Sequence, residues 1–282
     1  MKPGRRGIAR AGDVRIVHER WGAGPPLALC HAFAADRAMW WPQLEAFSAT
    51  HEVIAFDQRG CGESDHPSPR EGAPDPYTID SFADDLAAVL DDLGVARARI
   101  LGESMGGATA LRFAIRWPER VEALILVSTM ASRLHEKIIT RARLVEQVVA
   151  ERGVTEGVRF YFTGPLLAGV PKGPAWDAEM NRLAAMATPQ GFLGAYRVTI
   201  DRPSMADTLG TIRAPTLILV GEKDTLYLED AERMRLGIPG ARKIVMPGVG
   251  HAIHVEDPAG FEREVLEFLG VLPEGLSRGE GL

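Results

Sequence analysis

The sequence predicts an α/β fold in which helices cover both faces of a mostly parallel central sheet. Short apolar runs, the size of buried strands, alternate with segments of helical period through most of the 282 residues. This alternation is typical of a parallel sheet, because each crossover between parallel strands is usually a helix. A single interruption, from about residue 133 to 203, keeps the helical period but carries no strand signal. The interruption indicates that a helical unit is inserted into the α/β core.

The strand signals are short and apolar, and turn residues bound them. An opening hairpin is expected around Ala11-Gly12-Asp13, and the stretch from Gly22 to Pro26 then turns into the first central strand. The predicted strands cover residues 7–10, 14–21, 26–29, 53–56, 99–101, 121–127, 215–220 and 242–246.

Two helices carry clear boundary signals. Thr78 is expected to cap a helix whose apolar residues recur at spacings of three and four, and Gly94 is expected to end it. The polar side of this helix indicates a solvated face rather than a metal site. Its residues are Asp80, Asp84, Asp85, Asp91 and Asp92. Asp257 and Pro258 are expected to open the last helix, and the tail from Pro273 is expected to fray.

The composition is that of an ordinary globular protein in water, with 46% hydrophobic and 25% charged residues. The net charge of −6 and the lack of a basic block argue against nucleic acid or an anionic membrane as a partner. The apolar runs are too short to span a bilayer, and no apolar signal segment follows the first basic residues. Cys30 and Cys61 form no disulfide framework, so we expect reduced thiols and a cytoplasmic protein.

The most informative motif is Gly102-Glu103-Ser104-Met105-Gly106, a G-x-S-x-G turn between a predicted strand and a predicted helix over 108–115. Strand and helix can meet at so tight a turn only where glycines leave room. The serine at the apex is then forced into a strained backbone conformation, with its hydroxyl presented to a cleft. The pattern alone is common, but this strand–turn–helix setting makes Ser104 the candidate nucleophile.

A serine hydroxyl needs a base to take its proton and a third group to hold that base. Asp224 lies on the loop directly after the buried strand 215–220, and His251 lies on a glycine-rich loop after the strand 242–246. In this interpretation Ser104 attacks a carbonyl carbon and His251 transfers the proton. Asp224 fixes the tautomer of the imidazole and stabilises the imidazolium that forms.

Over nearly its whole length the chain resembles the α/β-hydrolase superfamily. The resemblance is carried by the elbow, by the chain order Ser, Asp, His, and by two segments after strands, Cys30 to Phe33 and Asp57 to Ser64. It implies an oxyanion hole formed by the backbone N–H groups of Phe33 and of Met105. The family usually has glycine where this chain has Ala32, and a methyl group is acceptable there only at a negative φ.

Other residues compete with these candidates. Glu222 and Asp57 are alternative acids, but Glu222 lies one turn position too early for the family spacing, and Asp57 is expected to cap the turn after its strand. His254 is an alternative base whose ordinary role would be packing near the site entrance. His31 is interpreted as a hydrogen-bonded structural residue. Glu103 could be mistaken for half of a glycosidase pair, and we expect it to turn away from the cleft.

The helical interruption lies where α/β-hydrolases commonly carry an inserted cap. The resemblance therefore divides the chain into core residues 1–132, a helical cap of residues 133–203, and core residues 204–282. A cap roofs the nucleophile, excludes water and shapes the substrate pocket. Met and aromatic residues recur along this segment, which favours a small or medium apolar substrate.

The layout is similar to the 3-oxoadipate enol-lactonase and small carboxylesterase branch. The predicted activity is hydrolysis of a carboxylic ester or lactone through an acyl-enzyme on Ser104, without a cofactor. No metal is expected, because no His/Cys/Asp cluster has ligand spacing. A serine nucleophile excludes the dehalogenase and epoxide-hydrolase branches, which use an aspartate. A carbon–carbon bond (diketone) hydrolase, a perhydrolase or haloperoxidase, and a ligand-binding homologue with little turnover stay open as alternatives.

Overall fold

A computed structural model describes residues 4–134 and 136–270, so the predicted fraying of the tail from Pro273 lies outside the described residues. The strands are β1 (Arg5–Ala11), β2 (Val14–Trp21), β3 (Pro26–Cys30), β4 (Glu52–Phe56), β5 (Ala98–Glu103), β6 (Val121–Val127), β7 (Thr216–Gly221) and β8 (Arg242–Met246). They form one sheet in the order β1-β2-β4-β3-β5-β6-β7-β8. β2 is antiparallel to β1 and β4, and the pairs from β4 to β8 are parallel. The predicted mostly parallel sheet is confirmed.

Helices follow most of the strands. They are α1 (Leu44–Ser48), α2 (Ile79–Asp92), α3 (Met105–Arg116), α4 (Glu136–Arg152), α5 (Val154–Phe162), α6 (Pro174–Met186), α7 (Pro189–Asp201), α8 (Thr225–Gly237), α9 (Ile253–Glu256) and α10 (Pro258–Phe268). Short 3-10 helices lie at Arg37–Gln43, Pro118–Arg120, Pro165–Leu167 and Ala206–Thr211. The four helices α4 to α7 follow one another between β6 and β7, in the interval where the sequence lacks strand signals.

The predicted helix boundaries follow from local hydrogen bonds. The Thr78 hydroxyl accepts a 3.0 Å hydrogen bond from the backbone N–H of Ser81, which caps α2, and Gly94 adopts a φ of +67° after its last turn. Asp257 accepts a 3.0 Å hydrogen bond from the N–H of Gly260 at the start of α10. Each bond satisfies an N–H group that has no partner within the helix. Both predicted caps and the predicted stop are therefore observed.

One residue of the predicted solvated face of α2 is buried. Asp85 has no exposed surface, and its carboxylate accepts hydrogen bonds from Arg59 Nε at 2.9 Å and from Arg59 Nη2 at 2.6 Å. The expectation of a solvated Asp85 was wrong, because the spacing of aspartates on a helix does not reveal a cation on a distant loop. A buried carboxylate is tolerated where a cation and hydrogen bonds compensate its lost hydration.

The core lies on both faces of the sheet. α2, α3 and the inserted helices pack on one face, and α1 and α10 pack on the other. The second face is centred on aromatic rings. Phe261 of α10 has no exposed surface, and its ring centroid lies 6.3 Å from that of Trp40 and 6.1 Å from that of Phe47. This aromatic group fixes α10, and with it the end of the chain that carries His251, against the sheet.

Truncation of this ring tests its importance. Replacing Phe261 with alanine should lower the free energy of unfolding by about 3–5 kcal/mol, because the lost contacts leave a cavity that the sheet cannot close. Urea unfolding followed by circular dichroism measures the change. Leu236→Ala, at a side chain that is 70% exposed, is the control and should stay within about 0.5 kcal/mol of wild type. A Phe261→Ala loss no larger than that of the control would contradict the prediction.

Candidate active site

Ser104 lies at the junction where β5 ends and α3 begins. Its backbone has a φ of 54° and a ψ of −112°, a conformation that residues with a side chain rarely adopt. The strained peptide is held from both sides. The Ser104 N–H donates to the carbonyl of Val127 at 2.9 Å, and the Thr129 hydroxyl donates to the Ser104 carbonyl at 2.7 Å. The structure thus places Ser104 in the conformation that the sequence motif predicts.

The two glycines of the motif allow the close approach of helix and strand. A side chain at Gly106 would collide with the carbonyl oxygen of Cys30 at the end of β3, and one at Gly102 would collide with the carbonyl oxygen of Gly106. No larger residue fits either position without moving a backbone segment. The apex residue is therefore lifted to the carboxyl edge of the sheet.

His251 contacts both other residues predicted with it. Its Nε2 atom lies 3.1 Å from the Ser104 hydroxyl oxygen, and its Nδ1 atom lies 2.8 Å from a carboxylate oxygen of Asp224. Asp224 follows β7 and His251 follows β8, so parallel strands deliver both loops to the same edge as the elbow. Because an ionised carboxylate only accepts hydrogen bonds, Nδ1 carries the proton and Nε2 offers a lone pair to the hydroxyl.

The environment of His251 favours a basic imidazole. Burial alone lowers the pKa of His251, but the negative charge of Asp224 and its hydrogen bond outweigh burial. The carboxylates of Glu103 and Glu256 add to this effect, so the pKa of His251 lies above its ordinary value of 6.5. An imidazole of this kind is a stronger proton acceptor than histidine in water.

Two residues that the sequence analysis missed hold His251 in place. Glu256 accepts hydrogen bonds from the backbone N–H of Gly250 at 2.8 Å and of Ala252 at 3.3 Å, on either side of the histidine. The ring of Tyr227 packs 4.6 Å from the imidazole, centroid to centroid. No sequence pattern marks either residue, because their roles depend on how the loop folds back.

The competing residues have other partners. Glu222 accepts a 2.8 Å hydrogen bond from the N–H of Gly248 in the loop before His251, and its contact is not with the imidazole. Asp57 is buried and accepts a 2.8 Å hydrogen bond from the backbone N–H of Glu63, as expected for a residue that caps the turn after its strand. His31 accepts a 3.0 Å hydrogen bond from the backbone of Gln58. These contacts agree with structural roles.

Glu103 and His254 face the site together. The expectation that Glu103 turns away from the cleft was wrong, because both residues are part of the lining of the cavity in front of Ser104. His254 Nδ1 lies 2.7 Å from Glu103 Oε2, although their orientation does not satisfy a hydrogen bond and both atoms are buried without another partner. α9 brings the imidazole to Glu103 from a distant part of the chain, and sequence spacing does not show this pairing.

The cavity has a volume of about 490 Å³, and its walls are mainly apolar. The inserted helices and the turn between α5 and α6 form one side, and the loops after β3 and β8 form the other. Its larger apolar lining residues are Phe33, Met39, Trp41, Tyr161, Phe162, Leu167, Trp176, Met180, Leu183 and Val255. A space of this size accommodates a small or medium organic molecule.

Phe33 and Met105 are the two residues whose backbone N–H groups are expected to bind an oxyanion. Phe33 lines the same cavity as Ser104, and Ala32 is not among the residues with a positive φ, so its methyl group is tolerated. Met105 is the first residue of α3, and its N–H therefore has no acceptor within the helix.

Metal ligands and thiols are the remaining groups that could carry chemistry. Within residues 4–134 and 136–270, no three His, Cys, Asp or Glu side chains are grouped so that they could hold a metal ion. Cys30 and Cys61 are buried and unbridged, and burial raises the pKa of both thiols. Across the same ranges, none of the helices has the length and apolar character needed to cross a bilayer.

The fold agrees with the family to which the sequence is matched. The sequence model of the alpha/beta hydrolase fold matches residues 25–258, and the chain belongs to this family. The protein is a hydrolase, an enzyme that acts on a small molecule.

Relatives of this chain span its length. It is 28% identical over 279 residues to a protein of Azorhizobium caulinodans provisionally named carbamate hydrolase RutD, covering 94% of this chain and 99% of that protein. It is 27% identical over 270 residues to carboxylesterase YbfK of Bacillus subtilis, and the match covers 92% of this chain and 85% of that protein. The solved structure of an enol-lactonase from Burkholderia xenovorans LB400 has the same fold. The two structures superpose with a TM-score of 0.78 at 24% sequence identity. The superposition covers 94% of this chain and 100% of the enol-lactonase chain.

The raised pKa of His251 predicts an acid limit to activity. kcat/KM for an uncharged ester should fall as the pH falls through a midpoint above 6.5, because a protonated imidazole cannot accept the serine proton. In Asp224→Asn the remaining activity should titrate at lower pH than in wild type, since burial is then opposed only by the smaller effects of Glu103 and Glu256.

Glu222→Gln is the matched control, because Glu222 lies in the same loop as Asp224 and bonds to Gly248. Its midpoint should equal that of wild type. A wild-type midpoint at or below 6.5 would show that Asp224 does not govern the imidazole.

Proposed function

We propose that the protein hydrolyses a carboxylic ester or lactone through an acyl-enzyme formed on Ser104. The observation that carries the proposal is the continuous contact from Asp224 through His251 to Ser104, at 2.8 Å and 3.1 Å, beside an apolar cavity. These are the contacts that a nucleophile, its base and the group orienting the base require.

The first half of the reaction forms the acyl-enzyme. The Ser104 oxygen attacks the carbonyl carbon while its proton passes to Nε2 of His251. The carbonyl oxygen becomes an oxyanion, for which the N–H groups of Phe33 and Met105 are the proposed donors. As the tetrahedral intermediate collapses, the bond to the alcohol oxygen breaks and His251 gives this oxygen its proton.

The second half releases the acid. A water molecule attacks the acyl carbon and gives a proton to Nε2 of His251, and the bond to the Ser104 oxygen breaks as that oxygen regains a proton. The Asp224 carboxylate stabilises the imidazolium in both halves, as its effect on the pKa of His251 indicates. For a lactone the leaving oxygen stays attached, and the product is a single hydroxy acid.

We assign residues 133–203 as a cap over this site, between core residues 1–132 and 204–282. The assignment is supported by the lining of the cavity, in which Tyr161, Trp176 and Met180 of the inserted segment lie opposite the nucleophile. Their apolar side chains would exclude water around the acyl group. The carboxylesterase name of one relative agrees with an ester substrate, while the carbamate hydrolase name of another shows that carbonyl substrates vary among relatives.

Loss of the nucleophile provides the main test. Ser104→Ala should reduce turnover of p-nitrophenyl esters on the order of a million-fold while the far-ultraviolet circular dichroism spectrum stays unchanged. A fluorophosphonate probe should label wild type and fail to label the variant. Ser204→Ala, at an exposed loop serine, is the control and should retain both activity and labelling.

Residual Ser104→Ala activity within tenfold of wild type would remove this serine from the mechanism. Folded wild type that resists the probe would instead indicate a ligand-binding homologue. A panel of p-nitrophenyl esters, lactones and vinylogous diketones then separates an esterase from a carbon–carbon bond hydrolase, and peroxide-dependent turnover would reveal a perhydrolase.

Chelation tests the expectation that the reaction needs no metal. Ester hydrolysis should persist unchanged after incubation with EDTA, because the proposed steps use only side chains, backbone N–H groups and water. Initial rates before and after dialysis measure this. Inactivation that added zinc reverses would overturn the proposed mechanism.

A further inference from the structure

The cavity in front of Ser104 has an unusual charge pattern. Two carboxylates, Glu103 and Glu179, line it together with the imidazoles of His251 and His254. Among the described residues that line the cavity, none is lysine or arginine. The lining therefore offers negative charge without a permanent cation to balance it.

Glu103 is the carboxylate closest in sequence to the nucleophile and the deeper of the two. Glu103 is only 1% exposed. The His254 imidazole lies next to its carboxylate, but the two groups are not oriented for a hydrogen bond. The charge of Glu103 reaches other groups at the site. It adds to the rise in the pKa of His251, and it adds to the effect of burial in raising the pKa of Tyr161.

The cation that adjoins the other carboxylate is already bound. Arg182 donates to both oxygens of Asp36, at 2.6 Å and 3.0 Å, and to Glu179 at 2.5 Å. These two carboxylates neutralise its guanidinium, and Arg182 itself is not part of the cavity lining. An anionic substrate group would have to displace one of them to gain an ion pair.

We propose that Glu103 determines the charge specificity of the enzyme, which accepts uncharged esters and rejects esters that carry a free carboxylate. The inference rests on the proposed esterase function and narrows its substrate class. A carboxylate bound in the cavity would lose its hydration against apolar walls and meet a buried like charge. An uncharged group of the same length would lose little on entering the same space.

The test compares two esters that differ only in charge. p-Nitrophenyl methyl adipate is uncharged, whereas p-nitrophenyl hydrogen adipate carries a carboxylate at pH 7.5, at the same chain length. Wild type should show a kcat/KM at least a hundredfold higher for the uncharged ester. Release of p-nitrophenol measures both reactions, after subtraction of the rates without enzyme.

Glu103→Gln removes the charge and keeps the shape of the side chain. In this variant the kcat/KM for the uncharged ester divided by that for the anionic ester should be at least tenfold smaller than in wild type. The change should come chiefly from a higher kcat/KM for the anionic ester. Glu229→Gln makes the same change at a side chain that is 87% exposed, and its ratio should equal that of wild type. Thermal unfolding shows whether each variant is folded. If Glu103→Gln is unfolded, the ratio measured for wild type is the test of the charge specificity.

If wild type cleaves the two esters with kcat/KM values that differ by less than threefold, the inference is overturned while the esterase function stays intact. A preference for the anionic ester would also overturn it. An unchanged ratio in folded Glu103→Gln would remove Glu103 as the determinant. If neither ester is cleaved and Ser104 is unlabelled, the proposed function fails and the charge specificity fails with it.

Discussion

The close packing of α3 against the ends of β3 and β5 is the constraint on which the site depends. A side chain at Gly106 would collide with the carbonyl of Cys30, so the helix can start this near the sheet only with glycine there. The short connection then forces Ser104 to a φ of 54°, which its hydrogen bond to the Val127 carbonyl and the one it accepts from Thr129 stabilise. Strain of this kind persists only where the surroundings over-determine it. The reactive hydroxyl is thus positioned by backbone packing, and few side chains are needed to aim it.

A buried base needs a compensating charge. Burial disfavours the imidazolium of His251, which must form in each half of an acyl-transfer cycle, and the adjacent Asp224 reverses that effect. Asp224 is itself buried, and its hydrogen bond with the imidazole helps to satisfy it. Glu256 holds the loop by two backbone N–H groups, so the imidazole keeps its place between hydroxyl and carboxylate. The site therefore combines a rigid loop with an electrostatic environment that suits proton transfer.

Chain order and local pattern were sufficient to predict the sheet, the elbow and the loops that bring Ser104, Asp224 and His251 together. Each of these features is encoded within a few residues, by glycines at a turn or by a polar residue directly after a buried strand. The predictions failed where two residues pair outside these motifs. Asp85 looked solvated because its partner Arg59 lies on a separate loop. Glu103 was expected to turn away from the cleft because no pattern marks the imidazole of His254, which α9 places beside it. Pairings that no motif marks are set by the packed fold, and a sequence pattern cannot show them.

The inserted helices and the proposed oxyanion hole are physically joined through one ring. Phe33 stacks on Tyr196 of α7 at 4.5 Å and meets Tyr161 of α5 edge-on at 4.9 Å, centroid to centroid. Aromatic contacts of this geometry stabilise beyond the area that they bury. The backbone N–H proposed to bind the oxyanion belongs to this same residue, so its position depends on where α5 and α7 lie. Changes in these helices that reshape the cavity should therefore alter the stabilisation of the transition state as well as the fit of the substrate.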